Sequence, residues 1–267
     1  MLQYKIEIAA SVFSLLVSTY SYWKKSVTIS GFVSMIVVSC CLIWNNGLEV
    51  LTVMFIMFAS SSLLTKFKQQ YKSNVTDKVL KKHGPRDAIQ AICNLGVGFI
   101  CFVFYLFTKD SSFILALLCS VAASNADSWA SEIGVLSNQK PRLITTLKPC
   151  EPGISGGITL LGTIAGIVGS VFIALISIGL VHSLTIDKIS LFIIVSIAGI
   201  VGFMIDSILG ATIQVIYKSE NGFETENNEL GKIKSRGVLG INNDAVNFLS
   251  SFIVALLVLL LSKCSFF

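Results

Sequence analysis

Two aspartates, Asp127 and Asp206, stand in stretches of sequence that are otherwise apolar. The stretch around the first, SNADSWASEIG, also holds Asn125 and Glu132. Charged side chains inside a membrane are costly, so this placement favours a functional role over a structural hydrogen bond, which is the alternative. Two adjacent carboxylates repel each other unless a cation lies between them. We therefore expect Asp127 and Asp206 to hold a divalent metal, with Mg²⁺ as the candidate, and Asn125 and Glu132 as further ligands or supporting residues.

More polar side chains enter from the same end of neighbouring apolar stretches, within the segments GPRDAIQAICNLG, IDSILGATIQ and NNDAVNFLSS. Several are spaced four residues apart and so share one helical face. The other halves of these stretches contain mainly Leu, Ile, Val and Phe. This asymmetry predicts a polar hollow at one end, whose further binding residues are Arg86, Gln90, Asn94, Gln214, Asn243 and Asn247.

The segment PRLITTLKPCEPGISGGITLLGTIAG adds features that suit an anion. Arg142 and Lys148 are cations, and Gly153, Gly156 and Gly157 are expected to open a helix. Backbone N–H groups at a glycine-rich helix start point at an anion and the helix dipole favours it. Packing of the helix start is an equal alternative for Gly156 and Gly157. Carboxylates for a metal, cations and a glycine-rich helix start together suggest a phosphorylated ligand.

The composition shows which elements must position these residues. Of the 267 residues 54% are hydrophobic and 13% are charged, whereas soluble domains carry about 25% charged residues. Several apolar stretches reach the length that crosses a bilayer. We therefore predict an all-α, polytopic integral membrane bundle of about eight spans, with six to eight as the range. The predicted spans lie near residues 6–23, 27–44, 48–65, 88–107, 112–136, 157–180, 189–217 and 244–262.

Charge and cysteine content exclude other classes. The net charge of +5 is not gathered in a separate basic domain, so nucleic-acid binding is not indicated. The seven cysteines form no CxxC pair, which argues against a zinc site or a disulfide framework.

Sixteen Lys and Arg residues lie in one set of inter-span loops and four on the other side. Because basic loops stay in the cytosol, both termini are predicted on the non-cytosolic side and the polar hollow on the cytosolic side. Asp127 and Asp206 should then lie about 15 Å above the cytosolic ends of their spans.

The quoted segments resemble the signature blocks of the transmembrane protein 19 family, also called domain-of-unknown-function family 92. The resemblance covers roughly residues 55–262, which divides the chain into spans without a family signature (1–50) and a single family domain (51–267). The family includes the plant phytyl-phosphate kinase. The order Asp127-Ser128-Trp129-Ala130, Gly134, Thr145-Thr146-Leu147-Lys148 and Pro152-Gly153 is similar to that of lipid kinases that use CTP.

The resemblance implies a prenyl-phosphate kinase that uses a nucleoside triphosphate, with CTP favoured, and Mg²⁺. Asp127, Asp206, Glu132 and Lys148 are the implied catalytic residues, and an isoprenoid monophosphate is the implied substrate. A transporter or flippase for a phosphorylated or anionic lipid, and a non-catalytic membrane protein, remain as alternatives. We expect an endomembrane location such as the endoplasmic reticulum, or a plastid envelope in a plant.

Overall fold

The computed structural model describes residues 2–76, 79, 84–219, 222–228 and 233–264. Within them the chain is mainly helical, and the predicted all-α membrane bundle is confirmed. The helices of the described residues are α1 (Leu2–Trp23), α2 (Ile29–Ile43), α3 (Leu48–Lys66), α4 (Gln69–Thr76), α5 (Ala88–Thr108), α6 (Ser112–Gly134), α7 (Leu160–Leu180), α8 (Lys188–Thr212) and α9 (Asn243–Lys263).

Six of the described helices, α3 and α5 to α9, are long and apolar enough to cross a membrane. The apolar helix α2 has 15 residues, which gives about 22 Å of helix against a hydrocarbon core of about 30 Å. The helices therefore agree with the predicted range of six to eight spans. The orientation of the bundle stays a prediction.

Helix α6 is the centre of the bundle and contacts α3, α5, α7, α8 and α9. Every residue from Ile114 to Ala126 is buried. Apart from Ser120, Ser124 and Asn125 its residues are apolar or small, and a helix buried all round is stable only when other helices surround it. The polar residues that follow in α6 are therefore held in place by five neighbouring helices.

Small residues let these helices approach closely. A Cβ atom added to Gly202 of α8 would lie 2.2 Å from the Cβ of Ala123 in α6. A Cβ at Gly169 of α7 would meet the Trp129 ring at 2.9 Å. Helices in a membrane associate through such van der Waals packing because lipid tails offer no hydrophobic driving force.

Short strands lie at the end of the bundle that carries the basic loops. β1 (Arg142–Leu143) pairs antiparallel with β2 (Gly157–Ile158). β3 (Ile216–Lys218) lies between β4 (Glu224–Thr225) and β5 (Ile233–Arg236), and both pairings are antiparallel. These strands fold the two long loops, 135–159 and 213–242, back over the helix ends.

Two predicted span boundaries are wrong. The helix expected from residue 157 begins at Leu160, because Thr159 is its N-cap and accepts a hydrogen bond from the Gly162 N–H. The helix expected to continue to residue 217 ends at Thr212, and Ile216 begins β3. The glycines at 153, 156 and 157 therefore precede α7 and do not form its first turn.

Candidate functional site

A cavity of about 450 Å³ lies at the end of the bundle where α3, α6 and α8 end and α5, α7 and α9 begin. The basic loops are at this end, so the cavity faces the side predicted to be cytosolic. The structure brings most of the predicted site residues together around it. Those that line it are Arg86, Gln90, Asn94, Asp127, Glu132, Gly153, Gly156, Gly157, Asp206, Gln214, Asn243 and Asn247.

The two aspartates meet inside this cavity. Asp127 and Asp206 lie in the last thirds of α6 and α8, and their carboxyl groups are in direct contact. The Ser250 hydroxyl of α9 donates a hydrogen bond to Asp206 over 2.9 Å. Both residues are about 10 Å from the ends of their helices. Their depths match, as expected, but are smaller than the predicted 15 Å, since both helices end earlier than the sequence suggests.

Glu132 is one turn closer to the helix end and is already paired. The ammonium of Lys72, a residue of α4, bonds its carboxylate and also the Leu64 carbonyl. The Thr65 hydroxyl donates to the same carboxylate. Glu132 thus holds a lysine at the cavity wall and is less suited to ligate a metal. Lys72 is only 7% exposed and was not predicted, because one lysine among many in a basic loop carries no distinguishing signal.

Arg86 is the second cation of the cavity wall. Its backbone pairs with the turn between α1 and α2, where its N–H donates to the Ser26 carbonyl and its own carbonyl accepts from the Thr28 N–H. Its guanidinium lies 5.8 Å from the centre of the Phe58 ring. Burial lowers the pKa of Arg86, and the Glu132 carboxylate opposes this. The guanidinium still keeps its proton at neutral pH.

Amide side chains join the helices at the mouth of the cavity. Gln90 forms a capping box with Asp87 at the start of α5. The Asn247 amide N–H donates to the Asn94 side-chain oxygen at 3.3 Å, which links α9 to α5. The Asn247 side-chain oxygen is buried without a partner among the described residues. An unpaired buried acceptor is costly, so this oxygen is available for a ligand.

Three predicted site residues do not line the cavity. Asn125 is fully buried, donates to the Gly169 carbonyl and accepts from the Ser60 hydroxyl, so its amide serves helix packing. Arg142 is exposed and donates to the Leu147 carbonyl of its own loop. Lys148 is exposed on the same loop.

The glycine-rich helix start is a further correction. Gly153 and Gly156 have φ values of 89° and 80°, which an α-helix does not allow and which glycine adopts readily. The Gly157 N–H donates to the Ile154 carbonyl, so it is not free to contact an anion. A Cβ at Gly156 would lie 2.5 Å from the Ala211 backbone nitrogen, so this glycine allows its loop to approach the end of α8.

A second unpredicted residue, the carboxylate Glu226, lies between β4 and β5 and also lines the cavity. It accepts hydrogen bonds from the Ser155 hydroxyl and the Gln214 amide, both at 2.8 Å. Burial raises the pKa of Glu226 to about 7, although these two bonds and Arg236 act in the other direction. Other acidic residues surround Glu226 in the sequence, so no sequence signal distinguishes it from them.

The described residues give the cavity an excess of negative charge. Two cations, Lys72 and Arg86, line it. They face five carboxylates: Asp127, Glu132, Asp206, Glu226 and Asp244. An anionic ligand would be repelled from this wall unless further positive charge accompanied it.

Apolar spans around a polar, charged cavity at one end define a multi-pass integral membrane protein. The family described as integral membrane protein DUF92 matches residues 12–255, and the chain belongs to this family. The resemblance seen in the sequence blocks is thereby confirmed. The match begins within residues 1–50, and the division of the chain at residue 50 stays a prediction.

The chain is similar to several curated proteins. It is 32% identical to Protein PGR of Arabidopsis thaliana over 94% of each chain. It is 25% identical to Protein VTE6, chloroplastic, of the same plant over 66% of this chain and 51% of the relative. A membrane protein of Methanocaldococcus jannaschii is 40% identical over 37% of this chain and 39% of its own. No solved structure matches.

Proposed function

We propose that the chain is a membrane-embedded kinase of isoprenoid monophosphates. It transfers the γ-phosphoryl group of a nucleoside triphosphate, with CTP favoured, to the lipid phosphate and produces the diphosphate. The observation that carries the proposal is the contact between Asp127 and Asp206 inside a polar cavity at one end of apolar helices. The resemblance to the phytyl-phosphate kinase supplies the substrate class.

The aspartate pair fits Mg²⁺. This ion takes one or two carboxylates and completes its shell with phosphate oxygens and water. Asp127 and Asp206 are such a pair. The described residues contain no group of three or more His, Cys, Asp or Glu that could hold a metal, so the ion would take the rest of its ligands from the phosphates and water. Mg²⁺ would supply the positive charge that a negatively charged cavity needs before it can accept a triphosphate.

The transfer requires no acid or base from the protein. An oxygen of the lipid monophosphate forms a bond to the γ-phosphorus, and the bond to the β–γ bridging oxygen breaks. The nucleoside diphosphate leaves with that electron pair. The attacking oxygen is already anionic, which suits a cavity whose described lining residues include no histidine. Positioning and charge neutralisation are the main contributions of a protein to phosphoryl transfer.

Lys72 and Arg86 are the best-placed side chains to contact the phosphates. Both line the cavity on either side of Glu132, which holds them there by charge. Lys148 and Arg142 are exposed on the adjoining loop and would act at its entrance. The isoprenoid tail would lie against the apolar spans, and the Phe203 ring lines the cavity beside Asp206.

A product assay tests the proposal. Purified protein in detergent is supplied with CTP or ATP labelled at the γ-phosphate, a panel of prenyl monophosphates and Mg²⁺. Transfer of label to the lipid, lost when EDTA is added, is the expected result. No labelled lipid with any nucleotide or chain length would refute the proposal.

Transport is the second candidate function, because paired carboxylates inside a membrane also mark ion and substrate pathways. Alternating access needs a route to both faces. Residues Ile114–Ala126 of the central helix are buried, so no solvent-exposed route runs along this part of α6 beyond the aspartates. Flux of the prenyl phosphate across liposomes without formation of diphosphate would favour this alternative.

A further inference from the structure

Gln214 holds an acceptor oxygen with no partner. The residue follows the end of α8 and is 1% exposed. Its side-chain Nε2 donates to Glu226 Oε1. Above its pKa of about 7 Glu226 is a carboxylate, which can only accept, so this bond then fixes the orientation of the amide. The Gln214 Oε1 atom is therefore directed elsewhere, and it is buried without a partner among the described residues.

Glu226 supplies a second acceptor beside it. The hydrogen bonds from Ser155 and Gln214 both end on Oε1, and within the described residues nothing bonds Oε2. Both side chains line the cavity. Gln214 Oε1 is buried and unpaired among the described residues, whereas Glu226 is half-buried. Buried acceptors are almost always paired in native proteins, so the Gln214 oxygen beside the Glu226 carboxylate indicates a ligand that donates hydrogen bonds.

The backbone at Gln214 and at Ser155, the two residues that bond Glu226, is held in place by neighbouring segments. The Arg236 guanidinium donates to the Ser155 carbonyl and to the Ala211 carbonyl at the end of α8. A Cβ at Gly237 would lie 1.9 Å from the Gln214 carbonyl oxygen, so only glycine permits this contact. The segments that carry Gln214 and Ser155 are thus in place before a ligand arrives, which reduces the ordering cost of binding.

We infer that Gln214 and Glu226 recognise the exocyclic amino edge of a nucleobase, that of cytosine or adenine. The inference rests on the proposed function, in which a nucleoside triphosphate occupies the cavity. An exocyclic amino group carries two N–H donors, and amide and carboxylate oxygens are the side-chain groups that accept from it. Uracil presents a carbonyl oxygen at the same place, which would be repelled by both acceptors.

The position along α8 agrees with this assignment. Asp206, where the γ-phosphate would lie, is six residues before the helix end at Thr212, and Gln214 follows just beyond. The two sites are therefore separated by about 10 Å along the axis of α8. A nucleoside triphosphate can bridge them with its base toward the cytosol and its phosphates toward the aspartates.

A metal ion is a poorer occupant of this pair. The guanidinium of Arg236 contacts Ser155, which in turn bonds Glu226. A second positive charge would be repelled at this distance, whereas a neutral amino group would not.

Base preference tests the inference. The specificity constant kcat/KM is measured with CTP, ATP and UTP for the wild type, Gln214→Leu, Glu226→Gln and a matched control, Glu224→Gln. Glu224 is a carboxylate of the same small sheet that bonds Ser235 and does not line the cavity. We expect the wild type to prefer CTP or ATP over UTP by at least about tenfold. Both cavity variants should lose this preference through a higher KM, and the control should keep it.

If kcat/KM falls equally for CTP, ATP and UTP in both cavity variants, the inference is overturned, because that result indicates a structural role. An unchanged base preference with an altered dependence on Na⁺, K⁺ or Mg²⁺ would overturn it in favour of a cation. Glu226→Gln changes no volume, so it decides the matter if Gln214→Leu fails to fold. If the wild type transfers no phosphate at all, the proposed function fails. Calorimetric binding of CTP against UTP then still decides the base preference.

Discussion

The two halves of helix α6 differ in what holds them. From Ile114 to Ala126 the helix is buried and is stabilised mainly by close packing, with hydrogen bonds only at its end from Ser124 and Asn125 to neighbouring helices. From Asp127 onward it faces a cavity in which charges and hydrogen bonds dominate. We call these the apolar half and the cavity half. Buried groups without a partner among the described residues occur in both regions: the Ser196 hydroxyl lies at the level of the apolar half, and the Gln214 and Asn247 oxygens line the cavity. The Gln214 and Asn247 oxygens differ from the Ser196 hydroxyl because they border a cavity that a ligand can enter, and this position indicates a binding site.

The largest effect is expected from the aspartate pair. Asp127→Asn or Asp206→Asn removes a ligand charge for Mg²⁺ and should lower kcat at least about 100-fold, measured as label transferred to the prenyl phosphate. The unfolding temperature should stay the same or rise, because like charges in contact destabilise the fold. Asp110→Asn is the matched control, since Asp110 lies in the loop at the other end of the bundle. Full activity in either variant would contradict the proposal that the aspartate pair binds Mg²⁺.

The apolar half should respond in stability instead. Gly202→Val places a side chain against Ala123, where a Cβ alone would be only 2.2 Å away. The resulting overpacking should lower the free energy of unfolding by about 1–3 kcal/mol. A thiol-reactive dye can follow thermal unfolding, because Cys101 and Cys119 are buried. Gly179→Ala is the control, since a Cβ there meets nothing within 4 Å. An equal loss of stability in Gly179→Ala, which has no steric conflict and gains helix propensity, would contradict overpacking as the cause.

The cations of the cavity half should act on substrate binding. Lys72→Ala removes one of two cations and leaves Glu132 without its ion-pair partner. We expect the KM of the phosphorylated substrates to rise about tenfold with a smaller change in kcat. Lys66→Ala, in which an exposed lysine near the cavity end is removed, should change KM little. If Lys148→Ala raises KM more than Lys72→Ala does, the prediction is wrong and the exposed loop makes the main phosphate contact.

The smallest effect concerns the pH dependence of stability. Burial raises the pKa of Glu226 to about 7, above its value in the unfolded chain, so the folded state binds this proton more tightly. Its contribution to the free energy of unfolding is therefore fully present below about pH 4 and is lost as pH rises toward 7. Glu226→Gln should reduce the fall in unfolding temperature between pH 5 and pH 8, by the equivalent of about 1 kcal/mol, since Glu226 is partly exposed. An identical pH profile in the variant would exclude Glu226 as the titrating group.

The structure differs from the sequence prediction mainly in the loops. The aspartates, Gln90 and Asn94 were predictable because polar residues stand out in apolar helices and helical spacing puts them on one face. Lys148 was selected by similarity of order along the chain, yet it is exposed on its loop, while Lys72 from another loop lines the cavity. The direction of a loop depends on hydrogen bonds to distant segments, such as that from Ser155 to Glu226, which no local pattern reveals.

The sequence by itself determined that the chain is a helical membrane protein and that two aspartates lie at one depth. Both conclusions depend on local properties, namely the hydrophobic length of each span and the rise per residue of a helix. Only the tertiary structure showed that Lys72 and Glu226 line the same cavity as the aspartates, because these two residues come from two loops far apart in the chain. Their meeting depends on where α3, α6 and α8 end and on how the loops fold back over those ends. These are consequences of packing and are not encoded in any single stretch of residues.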